Sequence, residues 1–386
     1  MAITSRIFEP EPSAASFRLA ALAGAFAGAG HEVTVLTVKT LEDDSTNERA
    51  YRVKRFPVLR DRSGYVRGYA QYMSFDIPLF FRVLFGKRRD LFIVEPPPTT
   101  GFFVRIAAAL RRTPYVYYAA DIWSDAAEST GAPRFVVNAV RRMERFSIAG
   151  ASAVLAVNEG VAARALQLAP AAQVHTVGNG VDTNVFAWKE HVEAARPYIL
   201  YAGTASEWQG AGIFIEAFKE VYAAHPDARL VFLGNGNDWP ALKKHAAQLP
   251  IGAVEFVPTV PAVEAADWLR NSVATIASIR PDSGYDFAFP TKVFASWASG
   301  TPVIYAGQGP VVEYMKRHRS DARLGDCCEY DASQVAAVMK RMLTAQSCRD
   351  DRRDLSHWAA QQVSLQGIAE RVVRLIFGMA TKGAHS

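Results

Sequence analysis

Cysteine is scarce in this 386-residue chain: Cys327, Cys328 and Cys348 are the whole set. An odd number, two of them adjacent, suits neither a disulfide framework nor a metal cluster, and points to a reducing cytoplasm. No apolar run approaches the ~20 residues that a membrane-crossing helix needs. Met1-Ala2-Ile3-Thr4 runs into a polar turn instead of the apolar core of a secretory leader. Dense runs of Lys and Arg are missing too. The net charge of +5 and isoelectric point near 9.0 are mild. They argue against a nucleic-acid binder and suit anionic substrates or an anionic membrane surface. What is plentiful is apolar residues, at 50% of the chain. At this length the expectation is two domains.

Those apolar residues fall into alternating strand and helix patterns. Ile3 to Phe8 reads as a strand, broken by Pro10 and Pro12 into a loop that carries Glu9 and Glu11. A helix capped by Ser13 or Ser16 follows, with Leu19, Leu22, Ala23 and Phe26 on its buried stripe. Val33 to Val38 is the next strand. Further strands are read at Val53–Phe56, Leu91–Val94, Tyr115–Tyr118, Ala153–Val157 and Val174–Val177. Near-continuous apolar strands separated by helices imply a parallel sheet covered on both faces. The pattern lapses from Thr183 to Pro197, among Lys189, Glu190, His191, Glu193 and Arg196, and then resumes. The second series has strands at Tyr198–Ala202, Arg229–Leu233, Val254–Phe256, Val273–Ala277 and Val303–Tyr305. A last helix runs from about Ala359 to Met379, before a loose tail at 383–386. The expected class is α/β, with two Rossmann-like doubly wound domains facing across a cleft. Residues 1–185 form the first domain and 186–197 the linker. Residues 198–358 form the second domain, and 359–386 a terminal helix packing back on the first, plus the tail.

One stretch organises the second half. In Phe289-Pro290-Thr291-Lys292, Pro290 suits a helix start, and Val293, Phe294, Trp297 and Ala298 form the apolar stripe behind it. Gly300 suits a left-handed turn after that helix, and Pro302 stops it. A lysine beside free helix amides suits a phosphate. A surface lysine in an ordinary first turn is the plainer alternative.

These segments resemble the family 4 retaining glycosyltransferases, which have the GT-B architecture. The likeness covers nearly the whole chain. It rests on Phe8-Glu9-Pro10-Glu11 through Arg18-Leu19-Ala20 to the strand after Gly30-His31-Glu32, on Asn179-Gly180-Val181-Asp182 with Phe186, on Phe289-Pro290-Thr291-Lys292-Val293-Phe294, and on Ala298-Ser299-Gly300-Thr301-Pro302-Val303. Glu95-Pro96-Pro97-Pro98, Asp121-Ile122-Trp123 and Gln209-Gly210 look like the bacterial subgroup that adds sugars such as N-acetyl-L-fucosamine to lipid-linked surface glycans.

The resemblance implies a nucleotide-diphosphate sugar donor, with UDP the expected nucleotide, and transfer to a saccharide or lipid-linked saccharide without an essential metal. It makes Lys292 the neutraliser of the leaving diphosphate. Gly203, Thr204, Gln209, Asn235, Asp282, Ser283, Asp286, Phe289 and Thr291 become candidate donor contacts. Two departures stand out. Thr204 and Gln209 occupy positions that the family fills with Arg and Lys, and Arg280 is a candidate to compensate. Ala295 and Phe287 stand where the family's paired glutamates fall. A nucleotide-sugar 2-epimerase, or a non-catalytic partner subunit, are the rival readings.

On the acceptor side, Asp121 follows a strand and precedes Trp123. There it could orient a hydroxyl or take its proton, or simply cap the next helix. Ala120 replaces the His or Arg that the family often has before it. Glu9 and Glu11 are acceptor-side candidates whose plainer reading is solvent exposure, and His31 reads as structural. The stretch 75–89 is rich in Phe and Leu and ends in Lys87-Arg88-Arg89. Its two readings are an amphipathic helix on an anionic membrane, at the inner face of the cell membrane, and a core helix with a basic end.

Overall fold

The structure is a computed structural model that describes residues 1–11, 13–40, 49–61, 66, 68–129, 131–190, 196–345 and 348–383. Pro12, the linker residues His191 and Glu193, and the tail after Gly383 lie outside the described residues. Packing divides the chain into two compact units, Met1–Asn179 with Leu365–Ser386, and Gly180–Ser364.

In the first unit, strands β1 (Ala2–Thr4), β2 (Thr34–Val38), β3 (Arg52–Phe56), β4 (Phe92–Val94), β5 (Tyr115–Ala119), β6 (Ala153–Ala156) and β7 (Val174–Thr176) form one parallel sheet. Their order is β3-β2-β1-β4-β5-β6-β7. Ile3 pairs with both Val35 and Ile93, so β1 is central and fully buried. The intervening helices are α1 (Ala14–Gly28), α2 (Tyr69–Phe85), α3 (Pro98–Leu110), α4 (Trp123–Ser129), α5 (Arg134–Ala149) and α6 (Glu159–Leu168). Ser13 caps α1, its side chain accepting from Ser16 N at 3.1 Å. β1 is shorter than the expected Ile3–Phe8. The Ser5 hydroxyl accepts from Ile7 N at 3.2 Å and donates to Ile7 O at 2.8 Å, folding the chain out of the ladder just after Thr4.

The second unit repeats the plan. Strands β8 (Tyr198–Ala202), β9 (Arg229–Gly234), β10 (Val254–Pro258), β11 (Ala274–Ser278), β12 (Val303–Ala306) and β13 (Gly325–Cys328) are parallel, in the order β10-β9-β8-β11-β12-β13. The helices are α7 (Gly212–Ala224), α8 (Trp239–Ala246), α9 (Ala262–Asn271), α10 (Thr291–Ala298), α11 (Pro310–Arg317), α12 (Ala332–Thr344) and α13 (Arg349–Gln362). α14 (Leu365–Gly383) returns to the first unit. There the His31 ring stacks on Phe377 at 4.4 Å, and Phe26 meets the same ring edge-on at 6.2 Å. The fold class is therefore α/β with two Rossmann-like doubly wound sheets.

The single terminal helix expected from Ala359 is two helices. Val181 N donates to Val363 O at 3.0 Å and Val181 pairs with Ser364, which holds the chain extended between α13 and α14. The same pairing places residues 180–185 and 359–364 in the second unit instead of the first domain and the terminal helix. β13 escaped the sequence reading, because Gly-Asp-Cys-Cys on a sheet edge has no apolar alternation. Among the described residues no helix is long and apolar enough to cross a membrane.

Candidate functional site

Doubly wound sheets bind ligands beyond the carboxyl ends of their strands, where the strand order reverses. The second unit reverses between β8 and β11. The loops after β8 and β9 lie against each other there. Ala205 N donates to Asn235 O at 2.8 Å, and Thr204 Oγ1 is 3.5 Å from Asn235 Oδ1. Only glycine permits this approach: a Cβ on Gly236, at φ 153°, would sit 1.9 Å from Ala205 O. Gly203, at φ 107°, opens the first of these loops.

Lys292 reaches this place from the first turn of α10. Its Nζ donates to Thr204 O at 3.2 Å and lies 3.5 Å from the centre of the Tyr201 ring. No ion pair to Lys292 occurs among the described residues. Surrounding protein desolvates the ammonium and holds its pKa well below the usual lysine value. No side chain caps α10, whose first residue is Thr291. A lone cation, half-buried beside uncapped helix amides, is an arrangement that a phosphate would complete.

The other donor-side candidates divide into two kinds. Gln209 is buried, and its Oε1 accepts from the Tyr201 hydroxyl at 2.6 Å and from Ser206 N at 3.2 Å. Its carbonyl end is thus engaged in holding the turn after β8 and the ring beneath Lys292. Phe289 stacks on Phe294 at 4.4 Å and meets Tyr314 edge-on, within the cluster that seats α10. Asp282 and Asp286 are exposed on the loop after β11, Asp282 at φ 58°. That loop is braced by the Trp208–Tyr285 stack at 4.6 Å. Ser283 Oγ in the same loop is shut from solvent, with no hydrogen-bond partner among the described residues. Arg280 is exposed, its backbone N–H bonded to Trp208 O at 3.0 Å.

In the first unit the order reverses between β1 and β4. Glu95, just past β4, accepts from Arg18 Nη2 of α1 at 2.5 Å, both side chains being buried. Asp121 stands just past β5. Its surface is open to solvent, yet the protein around it desolvates the carboxyl and pushes it up to about 6, against the opposing pull of Arg18. Asp121 is not the cap of α4. That task falls to the fully buried Glu144 of α5, whose carboxylate accepts from Trp123 N at 2.8 Å, Ser124 N at 3.0 Å and Ser124 Oγ at 2.6 Å. Asp121 is thereby left open to other partners, and Trp123 is fixed at the head of the helix.

Glu9 and Glu11 are half-buried and paired, unlike the plainly exposed residues of the simpler reading. Arg49 lies 3.9 Å from Glu9 Oε2, and Arg60 lies 3.4 Å from Glu11 Oε1. The stretch 75–89 combines both of its readings. Phe75, Leu79 and Val83 of α2 are core, while Ile77, Phe81 and Phe85 are 44%, 51% and 76% exposed. Lys87 bonds Glu32 at 2.8 Å and Arg89 lies 3.8 Å from it, whereas Arg88 is exposed. Tyr201 and Glu144 were invisible to sequence reading, since each acts on a residue tens of positions away.

Two family descriptions match in series: the glycosyl transferase 4-like domain over residues 14–180, and glycosyl transferases group 1 over residues 196–345. No curated protein matches the chain in sequence. Solved structures share the fold over nearly the full length. HepE from Anabaena, solved with UDP, has 14% identity and a TM-score of 0.70, covering 98% of this chain and 99% of that one. The sucrose-phosphate synthase of Thermosynechococcus elongatus has 15% identity and a TM-score of 0.74, covering 99% of each. A structure described as a putative UDP-N-acetylglucosamine 2-epimerase from Listeria monocytogenes has 14% identity and a TM-score of 0.64, covering 99% and 96%.

Proposed function

Because the chain belongs to the glycosyltransferase superfamily and has the GT-B fold, we propose that it transfers a hexosyl or N-acetylhexosaminyl group from a UDP-sugar to an acceptor hydroxyl. Transfer proceeds with retention, as in family 4, and resembles the subgroup that builds lipid-linked surface glycans. The observation that carries this reading is Lys292, a desolvated cation with no ion-pair partner among the described residues, beside the uncapped start of α10.

As the sugar–phosphate bond breaks, negative charge builds on the departing diphosphate. Lys292 and the α10 amides are set to stabilise that charge without reorganising, and no essential metal is invoked. Thr204, Asn235, Asp282, Ser283, Asp286 and Thr291 line the same strand ends and are the proposed contacts to nucleotide and sugar. With Ala295 at the expected ribose position, the ribose is left to loop groups such as the unpartnered Ser283 hydroxyl. In the first unit Asp121 orients the acceptor hydroxyl, and Trp123 offers a ring for a saccharide face. The HepE complex with UDP supports the nucleotide. The exposed apolar row on α2 supports docking at a membrane surface, for which the proposed place is the inner face of the cell membrane.

A thermal-shift screen of the purified chain against UDP, GDP, ADP, dTDP and their sugar conjugates tests this reading. A shift with UDP-sugars, lost in Lys292→Ala, is expected. No shift with any nucleotide would overturn it in favour of a non-catalytic subunit. Release of an epimerised free sugar without transfer to any acceptor would instead favour the 2-epimerase reading, to which the Listeria structure lends its fold.

A further inference from the structure

The second sheet has a recess at the edge away from Lys292. A cavity of about 330 Å³ opens at the amino ends of β11, β12 and β13, where Val273, Pro302 and Leu324 lead into the three strands. Met315 of α11, Met342 of α12 and Leu355 of α13 close its sides. Leu324, Met315 and Leu355 are buried core residues, so the walls are apolar. Small-molecule sites begin at roughly 300 Å³, so the space suits a short ligand. Two thioether side chains in the lining can adapt to the shape of an occupant.

The walls are pinned from behind and do not fold in on the space. Trp297 Nε1 donates to Leu324 O at 2.9 Å. Arg352, which also lines the cavity, ties α13 to the segments before β11 and β12. Its Nη1 donates to Ser272 O at 3.1 Å, its Nε to Gly300 O at 2.9 Å and its Nη2 to Thr301 Oγ1 at 2.8 Å. Elsewhere a protein interior is close-packed, and apolar walls held apart forfeit contacts that a ligand would restore.

The mouth is charged, and unevenly. Of the lining carboxylates, Asp351 meets Arg323 at 2.8 Å and Asp326 meets Arg341 at 3.0 Å. Each acid therefore has its own arginine. Arg319 lines the same cavity and is exposed, and no ion pair to it occurs among the described residues. An apolar interior with a surplus guanidinium at its rim fits a molecule with an apolar body and one anionic head. The planar fork of that guanidinium matches a carboxylate.

We propose that this cavity binds a small carboxylate with an apolar body. Lys292 serves the carboxyl ends of the strands and the cavity lies at their amino ends, so the site is separate from the sugar-nucleotide edge and does not depend on the transferase reading.

Calorimetry on the full chain tests this with octanoate, octanol and octylamine. Octanoate is expected to bind at one site, octanol about ten-fold more weakly or worse, and octylamine not at all. Arg319→Gln should bring octanoate down to the level of octanol. Ala345→Trp, which places a ring at the rim, should abolish binding of both. Arg319 and Ala345 are exposed, so both variants should melt as the parent does without ligand. Lys292→Ala should leave octanoate affinity unchanged. No binding of octanoate, or octylamine binding as tightly, overturns the proposal. So does octanoate affinity that survives Arg319→Gln or Ala345→Trp intact, or that is lost in Lys292→Ala, since each places the carboxylate elsewhere.

Discussion

The ammonium of Lys292 rests 3.5 Å over the face of Tyr201, whose hydroxyl is tied to Gln209 at 2.6 Å. The ring thus positions the cation, and Gln209 positions the ring. Removing the cation in Lys292→Ala should weaken nucleotide-diphosphate binding by roughly 10–100-fold, the range for a charge-assisted hydrogen bond of about 1.5–3 kcal/mol. The lowered pKa also has a direction. Only charged Lys292 attracts the diphosphate, so affinity should fall as pH rises through a value below the usual lysine range. Lys292→Arg, which stays charged, should flatten that fall. Calorimetry with UDP from pH 6 to 9 checks both.

Asp121 titrates near 6. If it orients or deprotonates the acceptor hydroxyl, it must be ionised, so transfer should rise with pH through about 6 and level off above. Asp121→Asn should lose this limb and about two to four orders of magnitude in rate. The stability sign is opposite. A carboxyl raised above its unfolded value near 3.9 favours the protonated native state, so the native protein loses stability as pH climbs from about 4 to about 6. Asp121→Asn should remove that slope from a denaturation series.

Arg18 and Glu95 are a buried pair, and breaking it differs from replacing it. Glu95→Gln leaves a buried guanidinium uncompensated and should cost about 3–5 kcal/mol in denaturant unfolding. The double variant Arg18→Met, Glu95→Leu should cost far less.

Glu144→Ala strips the cap from α4 and leaves the Trp123 and Ser124 donors without their acceptor. A loss of about 2–4 kcal/mol is expected from these buried hydrogen bonds. Because Trp123 moves with the helix, KM for acceptor should rise while UDP affinity stays unchanged.

Phe81 and Phe85 stack on each other at 6.2 Å on the exposed side of α2. Phe81→Ser with Phe85→Ser should abolish co-sedimentation with anionic liposomes without lowering the melting temperature. Phe80 is half-buried against Phe103, so a variant there would confuse stability with membrane contact.

Much of this was legible along the chain, because strand runs, helix stripes and the Pro290–Gly300 punctuation are local signals. Lys292 could be read as a first-turn lysine because Pro290 and the stripe behind it set the helix start. Asp121 was legible as a strand-end carboxylate, but its freedom from capping was not. Glu144 lies mid-helix, 20 residues beyond Ser124, and nothing in its own neighbourhood marks it.

The amino-acid order by itself determined that two parallel sheets form and which helix start carries a cation. Those outcomes follow from hydrophobic period and backbone chemistry within a few residues. Only the tertiary structure decided which charges have partners. Arg18 met Glu95 across 77 positions, Gln209 was drawn into holding Tyr201, and Arg6 came to rest over the Tyr72 ring with no ion pair among the described residues. Pairing is settled by which strand ends the sheet order makes neighbours, and that order is a property of the folded sheet.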